Sequence, residues 1–346
     1  MPTVRHAALR RCWGAVDRRV GAGVVMLAGL ALASPALGGG SHYGIQPGAK
    51  PQIEGKISEW DVPTPRFARD PAPAPDGSIW ITVMNADKLA RFDPAAGQFK
   101  EYSLPRGSRP HGALVDSAGQ VWYTGHGNGK MGRLDPATGK VAEYPAPSGG
   151  DPHTLVQDGQ GVIWFTVLSG DRIGRLDPKT GDITEYKASG RPYGLTLDKR
   201  GNVWFCEFGG NRLGKLDPGN GRITEVVLPS GSAPRRMATA PDGTIWVTLY
   251  SSGRLLRLDP ATGQMKEYLL PAGPGAAPYA VTVDGAGGVW VNEFSADTIL
   301  RMDPKTEQFR VFKIPTKNAG VRKMAVDARG RLWYMGSHSG KLGMIE

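Results

Sequence analysis

The sequence predicts an all-β fold, a seven-bladed β-propeller with four-stranded blades. Three observations carry this: a tryptophan recurring seven times, turn chemistry recurring in step with it, and a missing strand at one end that reappears at the other. The tryptophans are Trp80, Trp122, Trp164, Trp204, Trp246, Trp290 and Trp333, spaced by 42, 42, 40, 42, 44 and 43 residues. A repeat of this length built from strand-like runs is the signature of propeller blades, which share one closed ring. The 346-residue length, enough for two or three average domains, is therefore read as one propeller over residues 53–346.

Each unit reads as four strands. In the fullest copy the first is "RPYGLTLD" (Arg191–Asp198), the second "NVWFCE" (Asn202–Glu207) and the third "RLGKLD" (Arg212–Asp217). A "DPxTG" turn, as at Asp135, Asp177 and Asp259, leads to an outer strand such as "TEYKA". Pro pre-sets φ in that turn and Gly accepts positive φ. The last unit stops after its third strand. Its fourth is found at the start, where "GKISEWDVP" (Gly55–Pro63) matches "GDITEYKA" (Gly181–Ala188). Pairing the two ends closes the ring and leaves no open sheet edge between first and last blades. The repeated Trp, and Trp60 at the position of the Tyr in "EY", are read as packing between blades.

The first residues differ in kind. Arg5, Arg10, Arg11, Arg18 and Arg19 precede an apolar run from Val20 to Ala33 and then small residues. This reads as a signal peptide over 1–38, cleaved after Ala33 or Gly38, followed by a flexible tail over 39–52. An uncleaved anchor is the alternative, although the run falls short of the ~20 residues a spanning helix needs. Arg18-Arg19 raises a twin-arginine route, which the following residues fit poorly. The expectation is an exported protein, periplasmic or secreted, free of the membrane after cleavage and monomeric. Losing five Arg and one Asp lowers the formal charge from +10 to about +6. That excess is spread over all blades with no basic run, a solvated surface and not a nucleic-acid footprint. Cys12 falls in the leader, so only Cys206 remains and no internal disulfide is expected.

Equivalent positions of all seven units meet around one axis. The first and second strands are antiparallel, so the start of one and the end of the other share a rim. Eleven residues before each Trp stand Arg69, His111, His153, Tyr193, Arg235, Tyr279 and Arg322. All seven are long and hydrogen-bonding, which reads as a pocket mouth, not a blind rim. Three Arg imply an acceptor-rich or anionic ligand. The ends of the second strands add His126, Glu207, Tyr250, Glu293 and His338 to that face. No Cys-x-x-Cys, P-loop or Gly-x-Ser-x-Gly motif is present, and "GNGKMG" (Gly127–Gly132) is a turn within a blade.

The unit resembles the repeat of the streptogramin B (virginiamycin B) lyases, seven-bladed propellers that open a cyclic depsipeptide at its ester. The resemblance covers roughly residues 53–346 and rests at the site on "RPHG" (Arg109–Gly112), "DPHT" (Asp151–Thr154) and "RPYG" (Arg191–Gly194). It implies His111 and Tyr193 in substrate binding, Asp151 as a Mg²⁺ ligand and His153 as general base. The blades are circularly shifted relative to the family pattern. The family's second metal carboxylate has no counterpart in "WFTVLSG" (Trp164–Gly170), and Glu207, one blade on, is the candidate substitute. The implied reaction is β-elimination: a base removes a proton α to a carbonyl, a cation stabilises the enolate, and the ring C–O bond breaks without water. Two other readings stand beside it. One is a non-catalytic binder of a peptide, glycan or protein. The other is a lactone hydrolase, against which the seven blades and the carboxylate-poor rim both count.

Overall fold

A computed structural model describes residues 55–346, so the expected leader and the whole of the expected tail lie outside the described residues. The chain forms seven separate four-stranded antiparallel sheets, six of them running in sequence order from inner to outer strand and the seventh completed by the N-terminal strand. The inner strands are Ala68–Pro73, Pro110–Val115, Pro152–Gln157, Pro192–Leu197, Pro234–Thr239, Pro278–Val283 and Val321–Val326, belonging to blades one to seven in that order. Each inner strand packs against the inner strands of both neighbouring blades, and the seventh returns to the first.

Closure follows the expected route. Ile57–Asp61 pairs antiparallel with Lys341–Ile345 and supplies the outer strand of blade seven. Trp60 stacks on Trp333 with ring centroids 5.8 Å apart. Lys341 Nζ reaches Asp61 at 2.7 Å.

The repeated tryptophans sit in the second strands and are all buried. Burying roughly 200 Å² of aromatic surface at about 25 cal/mol per Å² gives each ring a gross gain of about 5 kcal/mol. In five blades the indole Nε1 donates to an aspartate six residues earlier: Asp116, Asp158, Asp198, Asp284 and Asp327. The same carboxylates accept backbone N–H groups of the turn between first and second strands. One residue thus shapes the turn and satisfies the buried indole. Blade five carries Ala240 there, and Trp246 Nε1 is left without a partner.

A second periodic device joins the blades near the axis. Two residues after the Trp, Thr82, Thr124, Thr166 and Thr248 donate to backbone carbonyls of the next blade, those of His111, His153, Tyr193 and Tyr279. Asn292 does the same to Val321. Four of the seven residues expected at the mouth, His111, His153, Tyr193 and Tyr279, are therefore held by their backbones from the neighbouring blade. Among the described residues, no helix is long and apolar enough to cross a membrane.

Candidate active site at the axial mouth

In all seven blades the register of the inner strand shifts between its first and fourth residues, as between Pro152 and Leu155. Such a bulge re-aims side chains. Here it lets two consecutive residues approach the axis. The first is the position eleven before the Trp. The second, ten before it, carries Asp70, Gly112, Thr154, Gly194, Arg236, Ala280 and Lys323.

The first layer brings the expected residues together. The His111 and His153 rings lie 3.6 Å apart between centroids, tilted by 36°. Tyr193 follows at 4.2 Å from His153. The Tyr193 and Tyr279 hydroxyls hydrogen-bond to each other. Arg235 lies over Tyr193, Phe208, Tyr250 and Tyr279, with its guanidinium 4.2 Å from the Phe208 centroid and 4.3 Å from that of Tyr250. Arg322 covers Phe67, Tyr279 and Phe294. It also contacts His338 Nε2 at 3.0 Å. Arg69 lies over Phe67 and is buried.

Hydrogen bonds fix the two imidazoles. His111 Nδ1 lies 2.9 Å from the His153 carbonyl oxygen, which can only accept, so Nδ1 carries the proton. Its Nε2 is buried without a protein partner. His153 Nδ1 meets Thr154 Oγ1 at 3.0 Å, and Arg236 Nη1 donates to that same oxygen at 2.7 Å. This leaves His153 Nε2 as the ring nitrogen for a ligand. Burial first, and then Arg69 and His153, hold the pKa of His111 well below the usual histidine value. Burial, then Arg236 and Arg69, do the same to His153. Both rings are therefore neutral at pH 7, able to accept a proton but in a setting that resists the resulting charge.

Asp151 stands at the entry to blade three. Its Oδ1 accepts from Ser169 N and Ser169 Oγ, each at 2.5 Å. Its Oδ2 lies 3.6 Å from His126 Nδ1. The equivalent residues Phe67, Arg109, Arg191, Ala233, Ala277 and Gly320 have left-handed backbones, whereas Asp151 does not. Burial lowers the pKa of His126, Asp151 raises it, and Arg69 and Arg109 lower it further.

Glu207 is not brought to this group. It lies three residues after Trp204, and side chains alternate across a strand. Positions four after the Trp face the mouth, namely His126, Phe208, Tyr250 and Phe294, while positions three after it point into the blade. Glu207 packs against Gly190 and Gly210 and has Arg212 as its nearest cation, at 3.8 Å. Burial, then Glu225, push its pKa up to about 7. Glu293, its counterpart in blade six, accepts from Ala272 N and Thr298 Oγ1. Asp151 and Glu207 share no partner, and no cluster of three His, Cys, Asp or Glu among the described residues has metal-holding geometry. A Mg²⁺ ion shared by these two carboxylates does not fit the arrangement.

Several side chains of the mouth and of the layer beneath it escape the sequence reading. Phe208, Phe294 and Phe67 form aromatic walls, and Asp70, Thr154, Arg236 and Lys323 form the layer beneath. Tabulating the positions ten before and four after each Trp would have listed all but Phe67, which lies thirteen before Trp80.

With this geometry in place, the comparisons with known proteins are specific. The model of the virginiamycin B lyase family matches residues 49–191 and 179–346. A streptogramin B lyase structure is 29% identical, with a TM-score of 0.77, covering 84% of this chain and 97% of its own. Virginiamycin B lyase from Staphylococcus aureus is 26% identical at the same TM-score, covering 84% and 99%. A catalytically inactive variant of that enzyme, with quinupristin, matches equally well. No curated protein matches the chain.

Proposed function

Because the chain belongs to the virginiamycin B lyase family, we propose that it is a lyase opening a cyclic ester of a small depsipeptide, or a related lactone, by β-elimination at the axial mouth. The observation that carries this reading is the buried, closely packed ring pair His111–His153 beside the Tyr193–Tyr279 phenols. In this scheme His153 Nε2 takes the proton α to a carbonyl. The electrons form a C=C bond, and the C–O bond from the β carbon to the ester oxygen breaks. The carboxylate leaves, and no water is consumed. Thr154 and Arg236 orient the base through Nδ1. His111 Nε2, buried and unpartnered, accepts a donor group of the substrate. Negative charge developing on the carbonyl oxygen is met by the guanidinium groups of the mouth, Arg69, Arg235 and Arg322, which present fixed donors in a partly desolvated site. No step is routed through Mg²⁺. The protein acts outside the cytoplasm in this reading, on a substrate small enough to enter the mouth.

The test is turnover of a streptogramin B depsipeptide such as quinupristin. The native chain yields a product of unchanged mass with a new C=C bond, and His153→Phe lowers turnover by roughly 10²–10⁴, the usual contribution of a general base. A product heavier by one water would replace the lyase reading with a hydrolase. An intact compound retained with measurable affinity would replace it with a binding module, which the aromatic walls around Arg235 and Arg322 would also suit.

A further inference from the structure

We infer that the axial channel carries a second ligand site, for a small carboxylate- or phosphate-bearing molecule, on the side of the polar layer away from the histidine pair and gripped by Arg236 and Lys323. This goes beyond the lyase reading and does not depend on it.

A cavity of about 280 Å³ runs along the inner strands from that layer toward their far ends. Arg236, Lys323 and Thr154 form its inner end, and Thr196, Thr239 and Thr282 supply hydroxyls along its walls. Arg236 is only 3% exposed. Its Nη1 is committed to Thr154, but Nε and Nη2 have no hydrogen-bond partner. The only carboxylate in the layer is Asp70, 3.5 Å from Arg236 Nη2 and 3.7 Å from Arg69 Nε. Neither contact is a hydrogen bond, and both Asp70 oxygens are also unsatisfied.

With Arg69 from the layer above, Arg236 and Lys323 make three cations around the one anion, Asp70. The histidines above are neutral and return no negative charge. Unpaired buried charge is costly and is normally met by a partner. The surplus is felt by Tyr279: burial pushes its phenol up, but Arg69 and Arg236, with the Tyr193 hydrogen bond and Arg322, together bring it down to about 8. An oxyanion at the inner end of the cavity would lie against Lys323 and Thr154 and offset the charge of Arg236, whose Nη2 faces Asp70. The volume exceeds that of a bare phosphate, so the ligand carries a further small group beside the threonines.

The experiment is calorimetric titration of the full chain with inorganic phosphate and, separately, with citrate, against potassium chloride at equal ionic strength. Saturable one-to-one binding of either anion is expected. Phosphate alone would assign a phosphoryl ligand and citrate alone a carboxylate. Lys323→Met should weaken binding at least about tenfold, Arg236→Met should abolish it, and His153→Phe should leave it unchanged. Lys323 is the deciding substitution if Arg236→Met fails to fold. Binding no stronger than the chloride control, or undiminished in Lys323→Met, overturns the site. Loss of binding in His153→Phe overturns it too, by moving the anion to the mouth and leaving the lyase reading untouched.

Discussion

The stacked imidazoles make a quantitative prediction about stability and pH. His111 and His153 both have folded-state pKa values well below 6.5, because burial and then neighbouring Arg side chains disfavour the protonated ring. The unfolded chain binds a proton at each histidine near pH 6.5, and the folded chain does not. Stability from keeping these rings neutral is therefore complete above pH 6.5 and is lost as pH falls toward the folded values. Each ring contributes a slope of about 1.4 kcal/mol per pH unit in that window, whatever the size of its shift. Other groups titrate there as well. His126 and His338 are also lowered, and Glu207, raised to about 7, opposes them. The clean quantity is thus the difference between the native chain and His153→Phe, which keeps a ring in the stack and removes the titration. By pH 5 that difference should have moved about 2 kcal/mol in favour of the variant relative to pH 7.5. Urea unfolding at five or six pH values measures it. Parallel stability curves for the two proteins would refute a buried, neutral His153 and with it the base assignment.

Further outcomes follow from the same geometry. His153→Ala should lose turnover like His153→Phe but also stability, by about 1–3 kcal/mol, because it leaves a void between His111 and Tyr193; equal melting of the two variants would argue against the stack. Glu207→Gln should stabilise the chain by about 1–3 kcal/mol at pH 8. The folded pKa of this acid is raised, so its penalty begins above the unfolded value near 4.5 and is full above about 7. A destabilised Glu207→Gln, in thermal melts at pH 8, would mean the carboxylate has a partner. Turnover should change less than twofold in Glu207→Gln, since Glu207 packs against Gly190 and Gly210 inside its blade, away from the histidine pair; a tenfold loss would return this carboxylate to the site.

Much of this site was legible from spacing alone. The Trp period places His111, His153, Tyr193 and the three Arg at equivalent positions, and the ring brings equivalent positions together. What spacing could not resolve was direction. Treating positions three to five after each Trp as one set mixes residues on opposite faces of a strand, so Glu207 and Glu293 were grouped with His126 and Tyr250. The bulge in each inner strand was equally invisible. It turns Thr154 and Arg236 toward the axis beside His153 and Arg235, where strict alternation would have sent them outward.

The sequence by itself determined the number of blades, the closing strand and the identity of the first axial layer, because a repeated local pattern forces repeated local structure and a ring superposes the copies. Tertiary structure alone decided which side chains meet across the axis. Arg236 reaches Thr154 over 82 residues of chain, and Tyr193 reaches Tyr279 over 86. Tertiary structure also set the charge balance beneath them. Contacts of that kind depend on the diameter of the closed ring and on bulge geometry, neither of which is written in any one repeat.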